Sequence, residues 1–429
     1  MALSLCLGFL SHANFGSAAS RSRGCFWVWR SRPPRYAGTR PPHTILSMGR
    51  VFRPARLAFL LAAVALAAIA PVHIAAATGT ARLSAARSAV PAGAVAGELN
   101  GVAAASAKDA WAVGYTGDSA ATDRTLILHW NGRRWSLATS FTPVHGTLMA
   151  VTAVSADDAW AVGDFTNAAG SDPKALVVHW NGKVWRRQGG APPAAGSLLA
   201  VAATKNAVWA VGASAGAPAL TERLVGGHWY LVPIAAFQLA SLNAVVITGG
   251  TVWAAGWTFY SNSYHGLLVR WNGTMWKAVG SPLQGPGNIL YAIGARRAGA
   301  LWAVGDYWNS VTAKLHGTSM LRNSTTWRNV LVPVPPSPDQ ELSGVAFIPG
   351  GTAWAVGKES GRSVILHWAG TAWSRSGSPN LGSGGTVLAA VAATSARDAW
   401  TVGFSWFDSN EPPVIAILHW NGRTWASGD

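Results

Sequence analysis

A Trp-Ala-Val-Gly tetrapeptide and its close variants recur along this chain with Trp at 111, 160, 209, 253, 302, 354 and 400, spacings of 49, 49, 44, 49, 52 and 46 residues. A period of that size marks an array of supersecondary units. It unites in one body a chain that length alone would divide into roughly two to four domains. Before each tetrapeptide stands a Leu-x-x-Val-like run, as in Leu99-Asn100-Gly101-Val102. After it come a loop, an apolar run such as Leu126-Ile127-Leu128-His129-Trp130, a turn, and a closing Trp at 135, 185, 229, 276, 327, 373 and 425. All seven copies are complete.

Each copy offers four short runs rich in Val, Ile, Leu and Trp and bounded by Gly, Asn, Asp and Ser, which read as strands, here A to D. Asn131-Gly132, Asn181-Gly182, Asn272-Gly273 and Asn421-Gly422 predict two-residue type I′ hairpins between C and D, where both central residues take positive φ. Alternation along strand B sends Trp111 and Val113 to one face and Ala112 and Gly114 to the other, a bulky side and a shallow one. One such sheet cannot bury both faces, whereas seven stacked radially can. The expected fold is all-β: a seven-bladed β-propeller of four-stranded antiparallel blades over 99–429. A Trp that every blade repeats is core, not a cofactor box.

The order Leu-x-x-Val, Trp-Ala-Val-Gly, Ile-Leu-His, Gly-x-Thr-Trp resembles the Asp-box propeller repeats of sialidases and of the photosystem II assembly factor family. The resemblance spans all seven copies. Gly422-Arg423-Thr424-Trp425 matches the end of an Asp box, but Trp420 occupies the Asp position, as do Trp130, Trp180, Trp271 and Trp368. In those families the box is a structural turn, so the resemblance implies the fold and carries over no catalytic residue.

Residues 1–77 hold nine of the 33 basic residues and no acid, which reduces the formal charge from +16 to +7 for the remainder. Cys6 and Cys25, the only cysteines, also lie there, so the rest can form no disulfide, thiolate metal site or cysteine nucleophile. Arg50, Arg53 and Arg56, the apolar run 57–70, and Ala75-Ala76-Ala77 follow the plan of a secretory signal peptide, cleaved near Ala77. Residues 1–47 read as a misassigned start or unstructured leader, and 78–98 as an Ala-rich linker. The run 57–70 is too short to span a bilayer, so the expected product is extracellular, without stable membrane insertion, and monomeric.

If strand A lies at the axis, the A–B and C–D turns share one end of the propeller and the B–C and D–A loops the other. The first end collects Lys108, Arg133, Arg134, Lys183, Lys205, Arg296, Arg297, Arg397 and Arg423. The second collects Asp118, Asp123, Asp164, Asp172, Glu222, Asp306, Asp339, Glu341, Glu359, Asp408 and Glu411, with aromatics that break the repeat. Loops on a rigid scaffold carry function. Ring faces and carboxylates together suit sugars. The candidate binding residues are therefore Tyr115, Asp164, Trp257, Tyr260, Asp306, Tyr307, Trp308, Trp406 and Asp408, although rings of this kind also serve as blade-end caps. His129, His179, His367 and His419 hold equivalent places in strand C of separate blades, too far apart to share a metal ion.

These features point to a secreted, non-catalytic binding protein whose acidic, aromatic B–C loop face recognises a glycan, a cell-wall polymer or an extracellular protein. The alternatives are a sialidase-like glycoside hydrolase and an extracellular assembly or adhesion scaffold. A glycosidase needs two carboxyls about 5 to 9.5 Å apart, and Asp164 and Asp306 fall in blades on opposite sides of the axis. Scattered basic residues without a stacking stripe argue against nucleic acid. No phosphate-binding loop or metal motif appears, so no cofactor is expected.

Overall fold

The computed structural model describes residues 95–428 apart from 118–121, 139, 142–144, 189–194, 215–217, 235–236, 238, 284–286, 297–298, 324, 334–338, 349 and 409–410. The expected signal peptide, Asp118 and Arg297 lie outside the described residues. Within them the chain is a seven-bladed β-propeller without helices, each blade an antiparallel sheet in the order A-B-C-D. The A strands are Glu98–Ser106, Gly146–Ser155, Ser197–Thr204, Ala240–Thr248, Asn288–Ala295, Gln340–Phe347 and Gly385–Ser395. Each touches the A strands of both neighbours, and the seventh returns to the first. In blade 2 a fifth strand, Ser140–Phe141, runs parallel along the outer Trp185–Arg187.

One register device recurs in every blade. Strand A skips a residue against strand B just after its Leu, as between Leu99 and Gly101 or Leu290 and Ala292. The carbonyl before that Leu then lies directly on the Gly of Trp-Ala-Val-Gly. A Cβ on Gly114 would sit 1.9 Å from Glu98 O, and one on Gly305 1.9 Å from Ile289 O. No side chain fits so close an approach, hence Gly at this position in all seven copies.

Between blades, the bulky face of each sheet enters the shallow face of the next. Trp111, Val113 and Ile127 pack on Ala159, Ala161 and Leu176, and Trp302 and Val304 on Ala353 and Ala355. The closing Trp of each blade packs against the strand-B Trp of the blade before it: Trp373 lies tilted on Trp302 at 4.9 Å, and Trp185 stands edge-on to Trp111 at 5.1 Å. Trp135 of blade 1 meets Trp400 of blade 7 in the same way at 5.1 Å, so the ring closes on an ordinary interface without exchanging a strand. Residues 95–97 act as the linker a preceding blade would supply. Gly97 N donates to Pro413 O (2.8 Å), as Gly146 N does to Asp123 O (3.1 Å) and Gly196 N to Pro173 O (2.9 Å).

The C–D turns depart from the expected two-residue hairpins. Trp130 pairs with Trp135, leaving four residues between them, and of Asn131 and Gly132 only Gly132 has positive φ. Asn131 instead folds its side chain back, Oδ1 accepting from Arg133 N (3.0 Å) and Arg134 N (3.1 Å). Asn181, Asn272 and Asn421 do likewise. This local side-chain capping competes with the I′ turn. The two-residue form occurs in blade 3, where Gly226-Gly227 both take positive φ between Val225 and His228.

Candidate functional site

The antiparallel order places the A–B and C–D turns at one end and the B–C and D–A connections at the other. The long-loop end is less acidic than its sequence suggests. Asp123, Asp164, Glu222, Asp306 and Glu341 are buried. Asp339 and Glu359 pair with Lys314 and Arg375. Asp172, Asp408 and Glu411 remain exposed. Asp164, Glu222, Asp306 and Glu341, read as loop residues, belong instead to strands, where a neighbouring blade covers them.

The nine candidate binding residues divide accordingly. Tyr115, Asp164, Trp257 and Asp306 are buried. All four occupy the strand-B position after Gly, opposite the residue before the strand-A Leu. Trp257 packs edge-on against Tyr264 at 5.0 Å and offers no face to a ligand. Trp406 is half-buried on a glycine platform: a Cβ on Gly384 would lie 2.3 Å from its Cδ1, and one on Gly385 2.5 Å from its Cζ2. It caps the linker into blade 7. Tyr307 is partly buried beside His316, at 5.5 Å. Tyr260, Trp308 and Asp408 are exposed.

Tyr260 and Trp308 stand on the B–C hairpins of adjacent blades 4 and 5. The hairpin of blade 4 turns through Ser261 and Asn262, both at positive φ without being Gly (49° and 60°), which holds the backbone in a sparsely populated region. Tyr260 stacks on His265 with centroids 3.8 Å apart. Gly287 joins the two hairpins, donating from N to Tyr264 O (2.8 Å) and Ser263 Oγ (3.1 Å) while its carbonyl accepts from Trp308 N (2.9 Å). In blade 5, Asn309 Oδ1 accepts from Val311 N and Thr312 N. Two exposed rings are thus carried on braced hairpins.

Beneath them lies a polar group that the repeat reading missed. Tyr291 OH donates to Asp306 Oδ2 (3.4 Å), Glu341 Oε2 pairs with Lys358 Nζ (3.1 Å), and Ser343 Oγ donates to Glu341 Oε1 (3.3 Å). Burial, then the charge of Glu341, pushes the Asp306 carboxyl well above the usual range, with Lys358 opposing. Burial and the same carboxylates raise Tyr291. The signal was present in sequence: Tyr291 follows the strand-A Leu, where other blades carry Asn100, Met149, Leu199, Asn243, Ser343 and Ala389. Asp164 makes a comparable inter-blade contact, accepting from Ser197 Oγ at 2.7 Å.

The strand-C histidines are structural. Each lies opposite the strand-B Trp of its blade; His129 stacks on Trp111 at 4.1 Å, His179 on Trp160 at 4.0 Å and His419 on Trp400 at 4.0 Å, while His367 is tilted over Trp354 at 4.5 Å. Nε2 of His129, His179 and His419 reaches Asp109, Asp158 and Asp398 at 2.6, 2.9 and 2.8 Å. Blade 6 has Thr352 at the Asp position, and burial lowers the pKa of His367. Arg223 and Arg270 take the histidine's place over Trp209 and Trp253. Among the described residues no three His, Cys, Asp or Glu side chains form a possible metal site.

No protein-family model matches the sequence, and no curated protein matches it. Solved structures do. The chain is similar to YCF48 from Cyanidioschyzon merolae (16% identity, 77% of this chain and 98% of that one, TM-score 0.48). It is also similar to the WD40 β-propeller domain of Doa1 (11%, 77% and 96%, 0.50) and to an ulvan lyase, a polysaccharide lyase (8%, 79% and 97%, 0.52). At these identities what is shared is the propeller fold.

Proposed function

We propose that this chain is a non-catalytic binding protein, exported and freed of its leader near Ala77, that holds a glycan, a cell-wall polymer or an extracellular protein through the B–C hairpins of blades 4 and 5. The observation carrying this reading is the exposure of Tyr260 and Trp308, 55% and 43%, on neighbouring hairpins that the repeat does not require. Isolated exposed rings are ordinary on protein surfaces. Two on braced hairpins, with Asn262 and His265 beside them, offer flat apolar faces and hydrogen-bonding edges, which suits sugar rings and extended peptide alike. The repeat itself we read as a degenerate Asp box in which the turn acceptor has passed to Asn131, Asn181, Asn272 and Asn421. Proteins as different as Doa1 and an ulvan lyase are similar to this chain in fold, so the fold chooses neither binding nor catalysis.

The glycoside-hydrolase alternative has one observation behind it: Asp306, a carboxyl that burial biases toward its protonated form beside the charged Glu341, as a general acid requires. The test is a glycan-array and cell-wall retention screen of the full-length chain, run beside fluorogenic glycosides. Retention without turnover supports the binding reading. Turnover that disappears in Asp306→Asn replaces it with the enzyme. Silence in both assays leaves the assembly or adhesion scaffold.

A further inference from the structure

The charge that reaches water is concentrated at the short-turn end. Lys108, Arg133 and Arg134 of blade 1 and Arg397 and Arg423 of blade 7 are all exposed. The two acids among them, Asp109 and Asp398, are occupied by His129 and His419. The two blades adjoin through Trp130, 4.7 Å from Trp400. Within each, the cation of the A–B turn lies on the C–D turn: a Cβ on Gly132 would sit 3.0 Å from Lys108 Cβ, and one on Gly422 3.0 Å from Arg397 Cγ. Five cations therefore form one stripe across blades 7 and 1. At its end, Arg423 also lines a cleft of about 270 Å³ between blades 6 and 7, with Trp420, Thr424, Ser376 and Ser378 on its walls.

We propose that this cleft and stripe bind a negatively charged polysaccharide. One sugar unit lies against Trp420, its acidic group paired with Arg423, and the chain runs on past Arg397, Lys108, Arg133 and Arg134. Guanidinium forks match the oxygens of a carboxylate, sulfate or phosphate. An indole beside three hydroxyls supplies the apolar face and polar rim that a pyranose uses. The cleft is at the small end for ligand sites, the size of a single unit, and the stripe gives the rest of a linear polymer its counter-charge. The cleft and stripe lie in blades 6, 7 and 1, away from the blade 4 and 5 hairpins of Tyr260 and Trp308, and do not depend on them.

The test is calorimetric titration of the full-length chain with polygalacturonate at low and high salt, beside neutral dextran and phosphatidylglycerol vesicles. The expected result is binding to polygalacturonate alone, weakened steeply by salt as counterion release demands. Arg423→Ala should bind at least about tenfold more weakly, the loss of one charge-assisted pair. Gly377→Tyr fills the cleft from a position where a Cβ meets nothing within 4 Å, and it should abolish binding with unchanged melting. Leu331→Ala, at an exposed position of blade 5 outside either binding surface, should bind as wild type. Wild-type affinity in both Arg423→Ala and Gly377→Tyr, equal binding of the vesicles or dextran, or no polygalacturonate binding would overturn the proposal.

Discussion

Replacing Glu222 by Gln probes how the blade interfaces respond to a misplaced charge. Glu222 lies opposite Ala210 of strand B, a position held by Leu128, Val178, Val269, Met320, Leu366 and Leu418 in the other blades. It is 7% exposed, and burial raises its pKa from 4.5 to about 7. Below pH 4.5 the folded and unfolded chains are both protonated there and the site costs nothing. Between 4.5 and 7 the folded chain keeps a proton that the unfolded chain releases, so stability falls as pH rises. Above 7 both are ionised and the full penalty remains. A rise from 4.5 to about 7 corresponds to about 3 kcal/mol. Gln keeps the shape without the charge. In urea denaturation across pH 4 to 9, Glu222→Gln should match wild type near pH 4 and exceed its stability by up to about 3 kcal/mol at pH 8. The difference between the two curves removes the contribution of Asp306, which titrates in both. Parallel curves from pH 4 to 8, or a variant less stable at pH 8, would refute the reasoning.

Three further outcomes follow from the packing. Trp302→Ala should lower stability by about 3 to 5 kcal/mol in chemical denaturation, as a fully buried ring leaving a cavity does. Gly305→Ala should lose about 3 kcal/mol or more, since its Cβ collides with a backbone carbonyl rather than a movable side chain. Trp257→Ala should also cost about 3 to 5 kcal/mol, while Tyr260→Ala, in the same strand, shifts stability by less than about 0.5 kcal/mol. Equal melting of that last pair would contradict the division into core and surface rings.

The fold was legible because its determinants repeat. Seven copies of Trp-Ala-Val-Gly carry both the alternation that stacks bulk on hollow and the Gly that the strand-A register demands, and each copy corroborates the others. The site was not, because burial at blade ends depends on the neighbouring blade. Trp257 and Tyr260 are three residues apart in one strand, one covered by Tyr264 and the other open to water. Charge counting failed for the same reason: Asp164 and Asp306 look like loop acids in sequence but occupy strand positions that the adjoining blade covers. The Asn-Gly turns misled because an Asn side chain can cap a four-residue loop as readily as its backbone can enter a I′ turn. Neither Trp406 nor its supporting Gly384 and Gly385 carries a pattern that reveals their contact before the linker is folded.

The binding reading is tested most directly by one paired measurement on the full-length chain carrying both Tyr260→Ala and Trp308→Ala: retention on an uncharged cell-wall glycan at high salt, where the cation stripe of blades 7 and 1 contributes nothing, and thermal melting of the same sample. Retention should be lost and melting unchanged, because both rings stand in water on hairpins braced by backbone hydrogen bonds through Gly287. Retention equal to wild type, or a double variant that loses its folded transition together with binding, would contradict that reading.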